Sequence, residues 1–340
     1  MLFRSDPAVV AAARRGIDWA ESQGAARPWL MVSLSDGSDP HFRKAWFDAG
    51  RCPAGCPRPC ERVCPALAIP PLGGRSGEQA AQKEWGIDTI SDERPGVLAD
   101  RCYGCGRCLP ACPLGLIVER EQLLPADAVA PLLASLRPDA IELHTRIGRA
   151  EAFAARLAQV RSAAIPLRRL AVSCGVEVEG ATEANTGQLN EGTPRTAAVE
   201  RRLEAELWSR FSQVRSAGFA PLWQLDGRPM SGDVGAGTAR AAVALLRRLA
   251  SRLPPGPVQL AGGTNDRTLA LVEALPPRDR DLVAGVAFGS VARARLLPLL
   301  QEAQRRGGRL LDQADLLPEA CAISLELVSP WLRRGRTAAT

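Results

Sequence analysis

The sequence predicts an α/β protein, a TIM-like (β/α) barrel that is incomplete at its N-terminus and interrupted by a small cysteine-rich insert. Three observations predict this. Short apolar runs alternate with amphipathic stretches, the pattern of strands and crossover helices in a parallel sheet. Gly262-Gly263 and Gly289-Ser290 directly follow the last two runs, as in loops after the last strands of TIM barrels. Finally, no GxGxxG turn stands near the first strand, where a dinucleotide-binding doubly wound sheet would carry one.

Taken in order, residues 1–4 (Met-Leu-Phe-Arg) fit no element. Ser5 or Asp6 caps a first helix with Pro7 in its first turn, and Val9, Val10, Ala13 and Ile17 recur at helical spacing. The continuous apolar run 28–34 suits a buried parallel strand, and a polar loop, 35–40, follows it. Further strands are expected at 140–144, 170–174, 221–225, 258–261 and 283–288, with helices over 150–160, 196–217, 238–253 and 267–275. That makes six strands where a barrel needs eight. Because the chain opens on a helix, the missing strands are expected upstream, in an N-terminally truncated sequence. The expected division is 1–48 for the first part of the barrel, 49–122 for the insert, 123–317 for the rest of the barrel and 318–340 for a C-terminal tail.

Composition narrows the function classes. An apolar fraction of 46% and a charged fraction of 24% are those of a packed globular chain. The net charge of +6 comes from arginines scattered through helical stretches, with Lys44 and Lys83 the only lysines. A nucleic-acid surface needs clustering with interleaved aromatics, so no nucleic-acid partner is expected. Neither an 18-residue apolar stretch nor a signal pattern occurs, which predicts a cytoplasmic protein without a transmembrane segment. In such a chain, eight of ten cysteines in two tight runs point to metal ligation rather than disulfides.

The second run, Cys102-Tyr-Gly-Cys105-Gly-Arg-Cys108-Leu-Pro-Ala-Cys112-Pro113, is CxxCxxCxxxCP, the bacterial ferredoxin signature for a [4Fe-4S] cluster. Two-residue spacers let one loop wrap three corners of a cubane, and Gly104 and Gly106 give the backbone freedom to do so. The first run, Cys52-Pro-Ala-Gly-Cys56-Pro-Arg-Pro-Cys60-Glu-Arg-Val-Cys64-Pro65, has three-residue spacers throughout and keeps the closing CxxxCP. Together they predict a ferredoxin-type module with two [4Fe-4S] clusters. In two-cluster ferredoxins the fourth cysteine of each run serves the other cluster. Carried onto these positions, Cys52, Cys56, Cys60 and Cys112 hold one cluster and Cys102, Cys105, Cys108 and Cys64 the second; the alternative is that each run closes on its own metal. Zinc also takes four thiolates, but structural zinc sites pair CxxC knuckles across a longer stretch. Leu67, Ile69, Leu109, Leu114, Leu116 and Ile117 are expected to pack around the clusters.

Weaker candidates lie elsewhere. In a barrel the strand ends carry function, so His144 with Glu142, Asp226, His41 and the Gly262-Gly263 loop would surround a ligand if one binds. Capping and packing explain the same residue types, and no nucleophile elbow or paired-carboxylate signature names a catalytic residue. Cys174 and Cys321 read as small core residues.

Three stretches carry a resemblance: Leu30-Met-Val-Ser-Leu-Ser-Asp-Gly-Ser-Asp-Pro-His-Phe-Arg-Lys44, the two cysteine runs, and Pro221-Leu-Trp-Gln-Leu-Asp-Gly-Arg-Pro-Met-Ser-Gly-Asp233. With these the chain resembles the light-dependent period protein (LdpA) family of cyanobacteria over most of its length. The resemblance implies an iron-sulfur protein that reports light-dependent redox state to the circadian clock input machinery, with clock input proteins as partners and an electron donor or acceptor. The alternative is an iron-sulfur, flavin-dependent oxidoreductase with its substrate in the barrel mouth.

Overall fold

The computed structural model describes residues 2–4, 7–37, 43–70, 95–99, 101–121, 124–178, 193–228, 235–308 and 310–337. From the N-terminus run β1 (Leu2–Arg4), α1 (Pro7–Ser22), β2 (Met31–Ser35), β3 (Arg43–Trp46), α2 (Pro59–Arg62), α3 (Cys108–Ala111) and β4 (Val118–Glu121). There follow α4 (Ala126–Leu136), β5 (Ala140–His144), α5 (Ala150–Ser162), β6 (Arg169–Gly175), α6 (Pro194–Ser216) and β7 (Pro221–Asp226). The last elements are α7 (Ala239–Leu249), β8 (Val258–Ala261), α8 (Thr268–Glu273), α9 (Pro277–Arg280), β9 (Val283–Val286), α10 (Ser290–Arg305) and α11 (Leu317–Thr337).

Seven strands make one parallel sheet in the order β1-β2-β5-β6-β7-β8-β9, while β3 and β4 pair antiparallel outside it. A doubly wound sheet reverses its strand order at a switch point; this sheet never does. Right-handed crossovers then place successive helices on one face, and the packing agrees. Val32, Leu34, Ile141, Leu143, Leu170, Val172, Trp223, Leu225, Val258 and Leu260 share a buried cluster with Val129 and Leu133 of α4, Phe153 of α5, Leu203 and Leu207 of α6, and Leu246 of α7.

The other face alternates with it at period two and is polar. Ser33 pairs in register with Glu142, His144 with Ser173, Ser173 with Gln224, and Gln224 with Gln259. What reads in the sequence as continuous apolar runs is therefore strands with an apolar helix-facing side and a polar inner side. Among the described residues, β1 pairs with β2 and β9 with β8, so the sheet they form is open at both ends.

The expectation that the chain opens on a helix is overturned, because Leu2–Arg4 pairs parallel with Met31, Val32 and Ser33. Three residues are too few for periodicity to reveal a strand, whereas the free edge of β2 offers unpaired N–H and C=O groups to fill. The expected capping residues Ser5 and Asp6, and the candidate His41, lie outside the described residues. The expected tail carries α11, which packs on α10 through Leu299, Ala303, Leu316 and Ala320. Cys174 is fully buried as expected, but Cys321 is exposed, on the outer side of α11.

At the sheet's C-terminal end the loops after β7 and β8 cross. Gly262 has φ +71°, and a Cβ there would stand 2.8 Å from the backbone of Gly227 and Arg228. Thr238 donates to the Gly263 carbonyl at 2.5 Å, and Asn265 Nδ2 donates to Thr238 Oγ1 at 3.1 Å. Close chain crossing is thus sufficient reason for the glycine pair.

Candidate metal centre

The insert is built on the β3–β4 hairpin pairing, in which Arg43 faces Glu121 and Trp46 faces Val118. Between these strands lie α2 and α3, single-turn helices that pack against each other. Asp48 caps the turn before Cys52 by accepting from Gly50 N at 2.9 Å. Arg58 has a left-handed backbone, φ 49°, at the start of α2 and braces it, donating to Glu61 at 3.1 Å and to the Pro70 carbonyl at 2.7 Å. In the second loop Gly104 and Gly106 have φ +76° and +73°, the turn for which the sequence supplies glycine.

Each helix carries the third cysteine of its run, Cys60 or Cys108, and both are buried. The fourth cysteines, Cys64 and Cys112, follow directly. Packing α2 on α3 carries each fourth cysteine toward the other run. Cys64 lines one cavity together with Cys102, Cys105 and Cys108, walled by Ala45, Ala68, Ile69, Val97 and Tyr103. The other four also neighbour one another: Cys52 interacts with Cys56 and Cys60, and Cys60 with Cys112 and Cys56.

Burial pushes the Cys108 thiol up to about 12, helped by Cys105, Cys102 and Cys64 around it. Burial also raises Cys52 and Cys60. For Cys112 burial works the same way but is outweighed by the backbone amides of Leu116, Leu114, Ile117 and Gly115, which hold it below the usual thiol range. Ala68 N likewise donates to Cys64 Sγ at 3.3 Å. Amides aimed at sulfur suit a thiolate ligand. Cys64, Cys102, Cys105 and Cys108 thus share one apolar cavity, and Cys52, Cys56, Cys60 and Cys112 neighbour one another. This set of soft thiols suits iron-sulfur chemistry, although among the described residues no three of them already stand as a preformed metal site.

Ile69 and Ile117 are buried around the cysteines, and Leu109 and Leu116 pack partly buried against them. Leu114, expected there, is instead 52% exposed, because the turn after Cys112 points its side chain outward while its amide points in. Leu67 is half-buried with φ 50°. The sequence reading missed Phe47 and Val97, which reach the site from neighbouring segments, and Tyr103, which lines the cavity from within the second cysteine run.

A second polar constellation lies at the C-terminal ends of β5–β7. Ser173 Oγ donates to Asp226 at 2.6 Å and so accepts from His144 Nδ1, 2.9 Å away. Gln224 Nε2 donates to Ser173 Oγ at 2.8 Å and to Glu142 at 2.5 Å. Although burial would raise Glu142, His144, Ser33 and Ser173 hold its pKa below the usual carboxylate value. Of the expected ligand-site residues, His144, Glu142 and Asp226 converge; the Gly262-Gly263 loop is engaged with the β7 loop.

Comparison with known proteins places these features. Residues 132–330 match the family model described as the light dependent period A C-terminal domain, and residues 52–123 match the LdpA Fe-S cluster-binding domain. The chain is 39% identical over 330 residues to "Light dependent period A" of Synechococcus elongatus, an alignment spanning 96% of this chain and 81% of that protein. No solved structure matches the chain.

Proposed function

The chain belongs to the light dependent period A family, and from that premise we propose that it is a redox sensor with two [4Fe-4S] clusters in a ferredoxin-type module. It relays light-dependent redox state to the circadian clock input machinery. Carrying this reading is the regrouping of the eight cysteines across their runs, Cys64 with Cys102, Cys105 and Cys108, and Cys112 with Cys60, Cys56 and Cys52. That neighbourhood supports the exchange of fourth ligands known for two-cluster ferredoxins.

When bound, the clusters supply reversible one-electron exchange. The protein's part is to hold and shield them. Ile69, Ile117, Phe47 and Val97 keep water from the buried sulfurs. The amides around Cys112 stabilise negative charge on its sulfur, favouring the reduced state. Beyond the module, the unreversed strand order and one-sided helices support a (β/α) barrel as the body that presents it.

The sensor reading predicts that anaerobically reconstituted protein is reduced and reoxidised reversibly and binds clock input proteins differently in the two states. Equal binding in both states, measured with the same preparation, would sink it. One observation favours an oxidoreductase instead, the network of buried Glu142, His144, Ser173 and Gln224 with partly exposed Asp226 at the strand ends where barrels hold substrate. Flavin recovered with the purified protein would support that reading, and its absence at full cluster content would count against it.

A further inference from the structure

Arg293, in the first turn of α10, reaches the insert. Its guanidinium carbon lies 3.9 Å from the centroid of the Tyr103 ring. Tyr103 stands between Cys102 and Cys105 and lines the cavity with them, and its hydroxyl interacts with both Arg293 and Cys105. Arg293 Nε is buried without a hydrogen-bond partner, so this cation is partly stripped of water. A second bond joins the same loop and helix, Arg101 Nη1 donating to Gln304 Oε1 at 3.2 Å. The loop bearing Cys102 and Cys105 is thus clamped to α10 on both sides of Cys102.

We infer that Arg293 is a positioning residue that raises the reduction potential of the cluster assigned to Cys102, Cys105, Cys108 and Cys64, and that α10 is the element of the body that feels this cluster's charge. The inference rests on the ligand assignment proposed above. Reduction adds one electron from an external donor and breaks no bond, so the cluster and its thiolates become more negative by one. A fixed cation held beside Cys105 through Tyr103 stabilises the more negative state, because attraction between partly desolvated charges is only weakly screened. Coupling is reciprocal. If Arg293 favours the reduced cluster, reduction tightens the hold of the Cys102 loop on α10, which packs in turn on α11. The other cluster's cysteines are not in this contact.

A ring-stacked arginine that serves only packing would hold the loop without moving a potential, and this separates the two cases. EPR-monitored redox titration, with dithionite as reductant and iron and sulfide counted in each sample, is applied to the anaerobically reconstituted full chain and to Arg293→Gln, Arg293→Lys and Tyr103→Phe. Expected is full cluster content, with one cluster alone shifted to lower potential in Arg293→Gln, largely restored in Arg293→Lys and lowered to a smaller extent in Tyr103→Phe. Unmoved potentials at full content, or equal shifts of both clusters, overturn the inference while leaving the ligand assignment standing. If Arg293→Gln fails to load, an unmoved potential in Tyr103→Phe overturns it. A wild type that holds fewer than two clusters overturns the ligand assignment, and the inference with it.

Discussion

Cys108 and Cys112 sit four residues apart and are pulled in opposite directions, the first pushed up by burial to about 12, the second held low by amides. The difference comes from the amides that follow Cys112, and in the ligand assignment proposed above the two cysteines serve different clusters. Cys64→Ser should therefore abolish the same EPR signal as Cys105→Ser, and Cys112→Ser the same one as Cys56→Ser; runs that each close on their own metal would give the reverse pairing. Away from the sulfurs, Glu142 has a folded pKa below its usual value of 4.5. The unfolded chain then binds the proton more readily, so Glu142 contributes stability that is present above about 4.5 and lost as pH falls through the folded value. Glu142→Gln is expected to be less stable than wild type at pH 7, with the gap narrowing below pH 4.5 in urea titrations; a gap independent of pH would mean that the buried group is not ionised. The cysteines were legible because their spacing is local. Arg293 beside Tyr103 was not, since 190 positions of sequence separate them and only the fold brings them together.

The strands show where reading by element succeeds and where it stops. Each strand expected after the insert forms, within a few residues of its expected ends, because β-rich apolar runs bounded by turn residues are a strong signal. Ser173 and Gln224 sit inside those runs and, once their strands pair in register, mark the polar inner face; a polar residue at every second place was the available clue. Tertiary context also decides α6, where Arg210 is wholly buried and donates to Thr145 Oγ1 at 3.1 Å and to the Arg146 carbonyl at 3.0 Å. It pairs there with Glu206. Arg210→Ala leaves those acceptors unmet and should destabilise the chain by about 3–5 kcal/mol, read from the urea midpoint. Gly262→Ala should lose about 1–3 kcal/mol through backbone strain at φ +71°. A loss near zero at Gly262 would leave the glycine pair to be explained by ligand binding instead of chain crossing.

At the scale of the molecule, a sequential parallel sheet with helices on one face carries a cysteine insert between β2 and β5, where Ser35 and His144 bracket it in register. The composition change set the start of the insert at residue 49, whereas Arg43–Trp46, expected in the barrel, pairs with Val118–Glu121 outside the main sheet; neither that strand nor the one at Leu2–Arg4 has a local signature. No helix among the described residues is long and apolar enough to cross a membrane. The insert meets the body at α10 through Tyr103 and Arg101, so a change in cluster charge has a structural route out of the module. Everything in this picture depends on two clusters being present. Iron and acid-labile sulfide, quantified anaerobically alongside EPR of the dithionite-reduced protein, test that most directly: two [4Fe-4S] clusters require about eight iron and eight sulfide per chain and a spectrum broadened by coupling between neighbouring clusters. About half that iron with a single uncoupled signal, or zinc without sulfide, would contradict it.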